Sequence, residues 1–264
     1  MRIARFAING DVRHGSVELP EDGTAHPDTV VEFTADPITG PAALTDVRHA
    51  LSDVRLLTPV RPSKVVGLAR NYSPDRDPDP PAAGAAPQVF LKPADSVIDP
   101  GSPIVIPALS HDTGLEGELV VVIGRTCKDV PVAGVEDVIA GYSIVNDVTA
   151  RDFFVDNVPW GLAKGFDSFT PIGPWVVTGI PLAKASDTAI TTSVDGKIIQ
   201  QGTTRRLLWS IANQVSYLSR VMTLRAGDVI LSGTPAGACQ IHAGETVTIE
   251  VEGVGTLTNP VVAQ

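Results

Sequence analysis

Leu115-Glu116-Gly117-Glu118-Leu119-Val120-Val121-Val122-Ile123-Gly124 is the stretch on which the reading of this chain turns. Its second half is a run of β-branched apolar residues, the mark of a buried strand. On a strand, residues i and i+2 point to the same face. Glu116 and Glu118 therefore lie close together where a buried element begins. Two like charges in that position repel and are costly without a counter-charge. A divalent cation is the simplest one, and the plain alternative is a solvated strand end paired with Lys or Arg. A third carboxylate, Asp147, follows a second apolar run in Val145-Asn146-Asp147-Val148-Thr149. No Cys or His stands at ligand spacing nearby, so a metal here would have hard oxygen ligands, which suit Mg²⁺ or Mn²⁺ rather than Zn²⁺.

Outward from this stretch, short apolar runs alternate with turns: Val89–Leu91, Ile104–Ile106, Trp175–Val177, Ile190–Val194 and Val247–Val251 all read as strands. Asp195-Gly196 ahead of Lys197-Ile198-Ile199 is a hairpin signal. Leu207 to Met222 reads as an amphipathic helix, with Leu208, Ile211, Ala212, Val215, Leu218 and Met222 on one face. Val135 to Ala140 reads as a short helix. The fold class is α+β and β-dominated, without the Gly-rich phosphate loop of a doubly wound nucleotide-binding sheet. Residues 1–58 form a small N-terminal unit, with strands at Ile3–Ile8 and Val12–Leu19 around the turn Asn9-Gly10-Asp11. Pro59, Pro62 and Ser63 mark the boundary with the main domain over 59–264. Within it, residues 73–87 combine Pro74, Pro78, Pro80, Pro81 and Pro87 with Asp75, Asp77 and Asp79. Such a segment does not hold regular structure; it is either a mobile lid over the site or a plain linker.

The chain has 264 residues, 43% of them apolar and 19% charged, with 22 prolines and 24 glycines, the profile of a turn-rich globular protein. A net charge of −10 with no basic cluster makes nucleic acid and anionic membranes poor partners. The first residues lack the apolar core of a signal peptide, and no apolar run reaches the ~18 residues of a membrane span. Cys127 and Cys239 have no paired spacing and read as free thiols, so the expected location is the cytoplasm.

Lys164, set among apolar and glycine residues, is a candidate buried cation; Lys92 stands where a strand meets Pro93, and Lys64 reads as surface. Ile230-Leu231-Ser232-Gly233-Thr234-Pro235 reads as a strand entering a tight loop whose N–H groups and Thr234 hydroxyl could bind a carboxylate.

Together these segments resemble the fumarylacetoacetate hydrolase superfamily, over about Lys64 to Pro260. The resemblance is carried by Gly67-Leu68-Ala69-Arg70-Asn71-Tyr72, Phe90-Leu91-Lys92-Pro93, the Glu116/Glu118 pair with its apolar tail, Gly141 to Asp152 around Asp147, Lys164 with Phe166-Asp167, Gly173-Pro174-Trp175, Gly227 to Pro235 and Asn259-Pro260. It implies a mixed β-roll catalytic domain, a homodimer, and Mg²⁺ or Mn²⁺ held by Glu116, Glu118 and Asp147. It also implies Lys164 as the active-site lysine, and a substrate pocket lined by Arg70, Asn71, Tyr72, Lys92 and Thr234. Family members act on small anionic 2-oxo, β-keto and β-diketo acids. They hydrolyse a C–C bond, decarboxylate, or tautomerise, and each reaction develops enolate charge that a metal and a lysine can stabilise.

One departure bears on the reaction. Hydrolytic and decarboxylating relatives follow Asn-Tyr with two residues, a His, and a Glu three positions on; here Asp75 and Pro78 stand at those places. An aspartate with an ordinary pKa is a poor base for water at neutral pH. His111 is off the pattern, and Arg205-Arg206 replaces a polar residue and an acid. The expectation is an enzyme that decarboxylates or tautomerises a 2-oxo or β-keto acid. A C–C hydrolase using Asp75 is the second reading, and a degenerate metal- and ligand-binding relative the third.

Overall fold

The computed structural model describes residues 1–19, 28–73, 85–155 and 160–264. Its centre is the strand Gly117–Ile123, buried along its whole length. The β-branched run is apolar on both faces because both faces are covered. On one side it pairs antiparallel with Ile139–Asn146, Gly117 opposite Asn146 and Glu118 opposite Val145; on the other it pairs antiparallel with Val229–Leu231. Burying each of Leu119 to Ile123 contributes roughly 1.5–3 kcal/mol against an extended chain.

The sheet continues outward from this core. Val65–Ala69 lies parallel to Val229–Leu231, and Gln88–Lys92 pairs with it antiparallel at the edge. In the other direction Thr170–Val177 pairs with Ile139–Asn146, and then the N-terminal strand Arg2–Ile8 joins, Arg2 opposite Val177 and Ile3 opposite Val176. The N-terminal strands Asp11–Glu18, Thr29–Phe33 and Leu44–Ala50 extend the same sheet in order. Residues 1–58 thus contribute strands to a sheet shared with the rest of the chain, twelve strands among the described residues. A second sheet runs Lys197–Thr203, Ala189–Val194, Thr246–Val251, Gly255–Ala263 and Ile104–Ile106. It packs on the central strands of the first, and the Trp175 indole N–H reaches across to the Val254 carbonyl at 2.7 Å. The fold is β-dominated α+β. No described helix is long and apolar enough to cross a membrane.

Two helix expectations change. The helix expected over 207–222 spans Ile211–Val221, and Ser210 caps it by accepting a hydrogen bond from the Asn213 N–H at 3.3 Å. Leu207 and Leu208 stay outside the helix because Asn71 takes their neighbourhood. Its carbonyl accepts the Leu208 N–H, and its side-chain oxygen the Trp209 N–H, both at 2.8 Å. In place of a helix over 135–140 there are 3₁₀ turns at Val132–Gly134 and Glu136–Val138, and then a strand. Pairing of Ile139 with Ile123 outweighs local helix preference there.

A buried carboxylate centre

The structure brings Glu116, Glu118 and Asp147 together, one carboxylate oxygen of each within 4.8 Å of the others. Their backbones are locked first: the Asp147 N–H donates to the Glu116 carbonyl at 2.8 Å, and the Glu116 N–H to the Asn146 side-chain oxygen at 3.0 Å. The loop after Val229–Leu231 then follows the strand residue by residue. The Ser232 hydroxyl donates to the Leu119 carbonyl at 2.8 Å, the Gly233 N–H to Glu118 Oε2 at 2.6 Å, and the Thr234 hydroxyl to the Gly117 carbonyl at 2.9 Å. Gly233 sits at φ +109°, with the Asn71 Cβ so near that an added Cβ would come within 2.9 Å of it, so only glycine turns the loop here. The loop N–H does bind a carboxylate, and that carboxylate is Glu118's own.

Lys164 closes the short helix Trp160–Lys164. Its ammonium donates to Glu116 Oε2 at 2.7 Å and to Asp147 Oδ2 at 2.5 Å, and lies 4.7 Å from the centre of the Phe90 ring. Lys92 occupies a different place from the one expected for a pocket-lining residue. Buried completely, it donates to Asp147 Oδ1, to the Val148 carbonyl at 3.2 Å and to the Phe169 carbonyl at 2.7 Å. All three ammonium donors are committed behind Asp147.

Burial raises the pKa of Glu118 well above the glutamate range, and the charges of Asp147 and Glu116 add to the effect. Glu116 also rises through burial, with Lys164 opposing. Burial pushes Asp147 up too, but Lys164 and Lys92 together hold it below the usual aspartate value. Burial lowers Lys92, whereas on Lys164 the two carboxylates outweigh burial and raise it. With all groups ionised, three carboxylates against two ammonium groups leave one net negative charge in an apolar interior, a charge that burial resists. A hard-oxygen set of this charge fits a divalent cation, which would turn the balance to one net positive.

The centre opens on a cavity of about 480 Å³. Its inner end carries Glu116, Glu118, Lys164 and Thr234, and Leu68, Phe90 and Trp160 give it an apolar wall. Phe154, Val155 and Arg70 are exposed lining residues. The Arg70 guanidinium stacks 5.7 Å over the Trp160 ring, and its backbone holds a left-handed φ of +51°. Asn71 is absent from the described lining. Its side-chain amide donates to the Ser232 and Trp209 carbonyls, which ties Arg70 and Tyr72 to the loop beside Glu118. Tyr72 is likewise off the described lining; its buried hydroxyl has no hydrogen-bond partner among the described residues, and burial with the nearby Glu118 charge raises its pKa. Lys64 is half-buried rather than plain surface, paired with Asp228 at 2.5 Å. Asp75, Pro78 and residues 74–84 of the expected lid lie outside the described residues.

Sequence reasoning missed Gln200, which is 1% exposed. Its side-chain oxygen accepts the Gly117 N–H at 3.0 Å, and its amide donates to Thr234 Oγ1 at 2.9 Å and to the Pro235 carbonyl at 2.8 Å. No local pattern reveals it, since neighbouring Ile198 is exposed where alternation would bury an apolar side chain.

An acid-lined, lysine-braced centre between two packed sheets defines a class of β-roll proteins, and comparison with known proteins gives the class its name. The family model described as fumarylacetoacetate (FAA) hydrolase C-terminal matches residues 64–262, and one described as Rv2993c-like, N-terminal matches residues 1–59. The chain belongs to the fumarylacetoacetate hydrolase superfamily. Protein Rv2993c of Mycobacterium tuberculosis (strain ATCC 25618 / H37Rv) is 43% identical over 265 residues, covering 99% of this chain and 98% of that protein. Among solved structures, 5-carboxymethyl-2-hydroxymuconate delta-isomerase from Mycobacterium smegmatis matches at 42% identity and TM-score 0.90, with both chains covered in full. 2-Hydroxyhepta-2,4-diene-1,7-dioate isomerase from Mycobacterium marinum matches at 41% and 0.90, covering 100% of this chain and 99% of that one. Maleylpyruvate hydrolase from Sphingobium sp. SYK-6, in complex with manganese(II) and pyruvate, matches at 28% and 0.79, covering 100% and 99%.

Proposed function

We propose that this protein is a Mg²⁺- or Mn²⁺-dependent enzyme that acts on a small anionic 2-oxo or β-keto acid through an enolate, by enol–keto tautomerisation or decarboxylation. The observation that carries the reading is the Lys164 ammonium, held by Glu116 and Asp147 at the buried end of the cavity. A divalent ion bound by Glu116, Glu118 and Asp147 supplies Lewis acidity toward an enolising 2-oxo acid. Lys164 places fixed positive charge at the same centre, where an enolate oxygen develops charge. Lys92 keeps Asp147 ionised and oriented from behind. The wall of Leu68, Phe90 and Trp160 excludes water from the carbon chain of the substrate. Arg70, at the exposed side and stacked on Trp160, is a cation available to a second carboxylate. The Thr234 hydroxyl proton goes to the Gly117 carbonyl, so this residue shapes the cavity without offering a free donor.

Two relatives of the same fold are named as isomerases of 2-hydroxydienedioates or their muconate counterparts, which supports tautomerisation over hydrolysis. The presence of Asp75 and Pro78 in place of His and Glu supports it too. Hydrolysis is the second reading. It is favoured by the likeness to a maleylpyruvate hydrolase and would use Asp75 as the base. The working unit is a homodimer in the cytoplasm, and light scattering checks the first of these. A substrate panel decides the reaction: oxaloacetate, an acylpyruvate and a 2-hydroxydienedioate, each with Mg²⁺ or Mn²⁺. Turnover of the dienedioate or oxaloacetate well above that of the acylpyruvate is expected, and the reverse order refutes the proposal.

A further inference from the structure

We propose that Gln200 is a positioning residue for the metal centre, acting through a closed hydrogen-bonded ring with Thr234 and the Gly117 peptide. Gly117 is the residue between Glu116 and Glu118, so its two peptide planes set how those carboxylates face each other. Both of its backbone groups are held from outside the strand. Gln200 accepts its N–H at 3.0 Å, and Thr234 accepts nothing from it but donates to its carbonyl at 2.9 Å. Gln200 then donates to Thr234 Oγ1 at 2.9 Å and closes the ring, while its remaining amide hydrogen bond holds the Pro235 carbonyl at 2.8 Å. Gly117 has no room to shift toward the second sheet, where an added Cβ would lie 2.1 Å from Thr192 Oγ1.

Gln200 comes from Lys197–Thr203, on the second sheet; it does not itself line the cavity, and its side-chain hydrogen bonds go to Gly117, Thr234 and Pro235 rather than to a carboxylate. It acts on the centre only through Gly117 and Thr234. A fully hydrogen-bonded, buried amide of this kind is a rigid spacer: it cannot rotate without leaving a buried donor or acceptor unpaired. The ring therefore fixes the separation of the two glutamates before any ion arrives. The inference rests on the metal-dependent reading above.

Gln200→Met keeps the length of the side chain and removes its hydrogen bonds; Thr234→Val breaks the ring from the other side, and Thr234→Ser restores it. The measurement is Mn²⁺ binding by calorimetry, with the spectrum of bound Mn²⁺ and the thermal midpoint recorded for each variant. Loss of such an outer partner typically weakens metal affinity ~10–100-fold. That weakening is expected for Gln200→Met and Thr234→Val, with the double variant no weaker than the worse single one and Thr234→Ser near the wild type. A merely structural tie between sheets lowers the thermal midpoint and leaves the dissociation constant within about twofold, the scatter of independent sites; that result overturns the inference. If Gln200→Met does not fold, an unchanged constant in Thr234→Val overturns it equally. Failure of the wild type to bind Mn²⁺ sinks both this inference and the metal-dependent reading, whereas normal wild-type binding with unaffected variants sinks this inference alone.

Discussion

Replacing Lys164 with methionine removes charge from the centre while keeping most of the side-chain volume. The ammonium is 3% exposed and holds two carboxylates, so solvent cannot compensate for its loss. Breaking one side of a buried ion pair commonly costs about 3–5 kcal/mol, because the partner is left as an uncompensated charge. For a chain of this size each kcal/mol moves the thermal midpoint by about 2–4 °C, so the metal-free variant should melt roughly 6–20 °C lower. Part of that loss is relieved by protonation, since burial already pushes Glu116 and Glu118 toward their neutral forms. Saturating Mn²⁺ should recover most of the remainder by supplying the missing positive charge. Turnover should not recover: losing one charged stabiliser of a developing oxyanion commonly lowers kcat ~10²–10³-fold. Thermal melts with and without Mn²⁺, paired with steady-state kinetics on the best substrate of the panel, separate the two effects. Wild-type kcat in a folded, Mn²⁺-loaded Lys164→Met protein would falsify the role given to this residue.

Glu118→Ala deletes one of the two fully buried carboxylates and should abolish Mn²⁺ binding in calorimetry; an unchanged isotherm would remove Glu118 from the metal site. The raised pKa values of Glu116 and Glu118 give the pH dependence a definite sign. Their folded-state values lie above the unfolded ones, so the stability they contribute is present below the ordinary glutamate range and lost as pH rises through the raised values, while Mn²⁺ competes with those same protons. The thermal shift caused by Mn²⁺ should therefore be larger at about pH 7.5 than at about pH 5.5, and equal shifts would contradict the assignment. General-base assistance is typically worth ~10²–10⁴-fold, so Asp75→His with Pro78→Glu should raise acylpyruvate hydrolysis. Fast hydrolysis by the unmodified protein would instead show that another group already activates water.

Local chemistry settled much of the site before any tertiary contact is considered. The period of a strand places Glu116 and Glu118 on one face, and the β-branched run after them can only be buried. The motifs around Asp147, Lys164 and Arg70 mark the family, and Asn9-Gly10 and Asp195-Gly196 turn where their backbone preferences require, each at positive φ. These signals act over a few residues, so sequence spacing carries them. What the sequence alone left open is which polar groups are already committed. Lys92 and Phe90 share a face of Gln88–Lys92, yet Phe90 lines the cavity while Lys92 is used up behind Asp147, 55 residues away. Asn71 reads as a pocket residue, yet its amide is consumed by carbonyls at Trp209 and Ser232, and its backbone and side-chain oxygens take the Leu208 and Trp209 N–H groups, which shortens the helix expected from Leu207. The Thr234 hydroxyl and Gln200 are bound to Gly117 across separations of 117 and 83 residues. A side chain's type states how many hydrogen bonds it can make; only the packing of the two sheets decides which partners satisfy them, because a buried donor must take whichever acceptor the fold brings within reach.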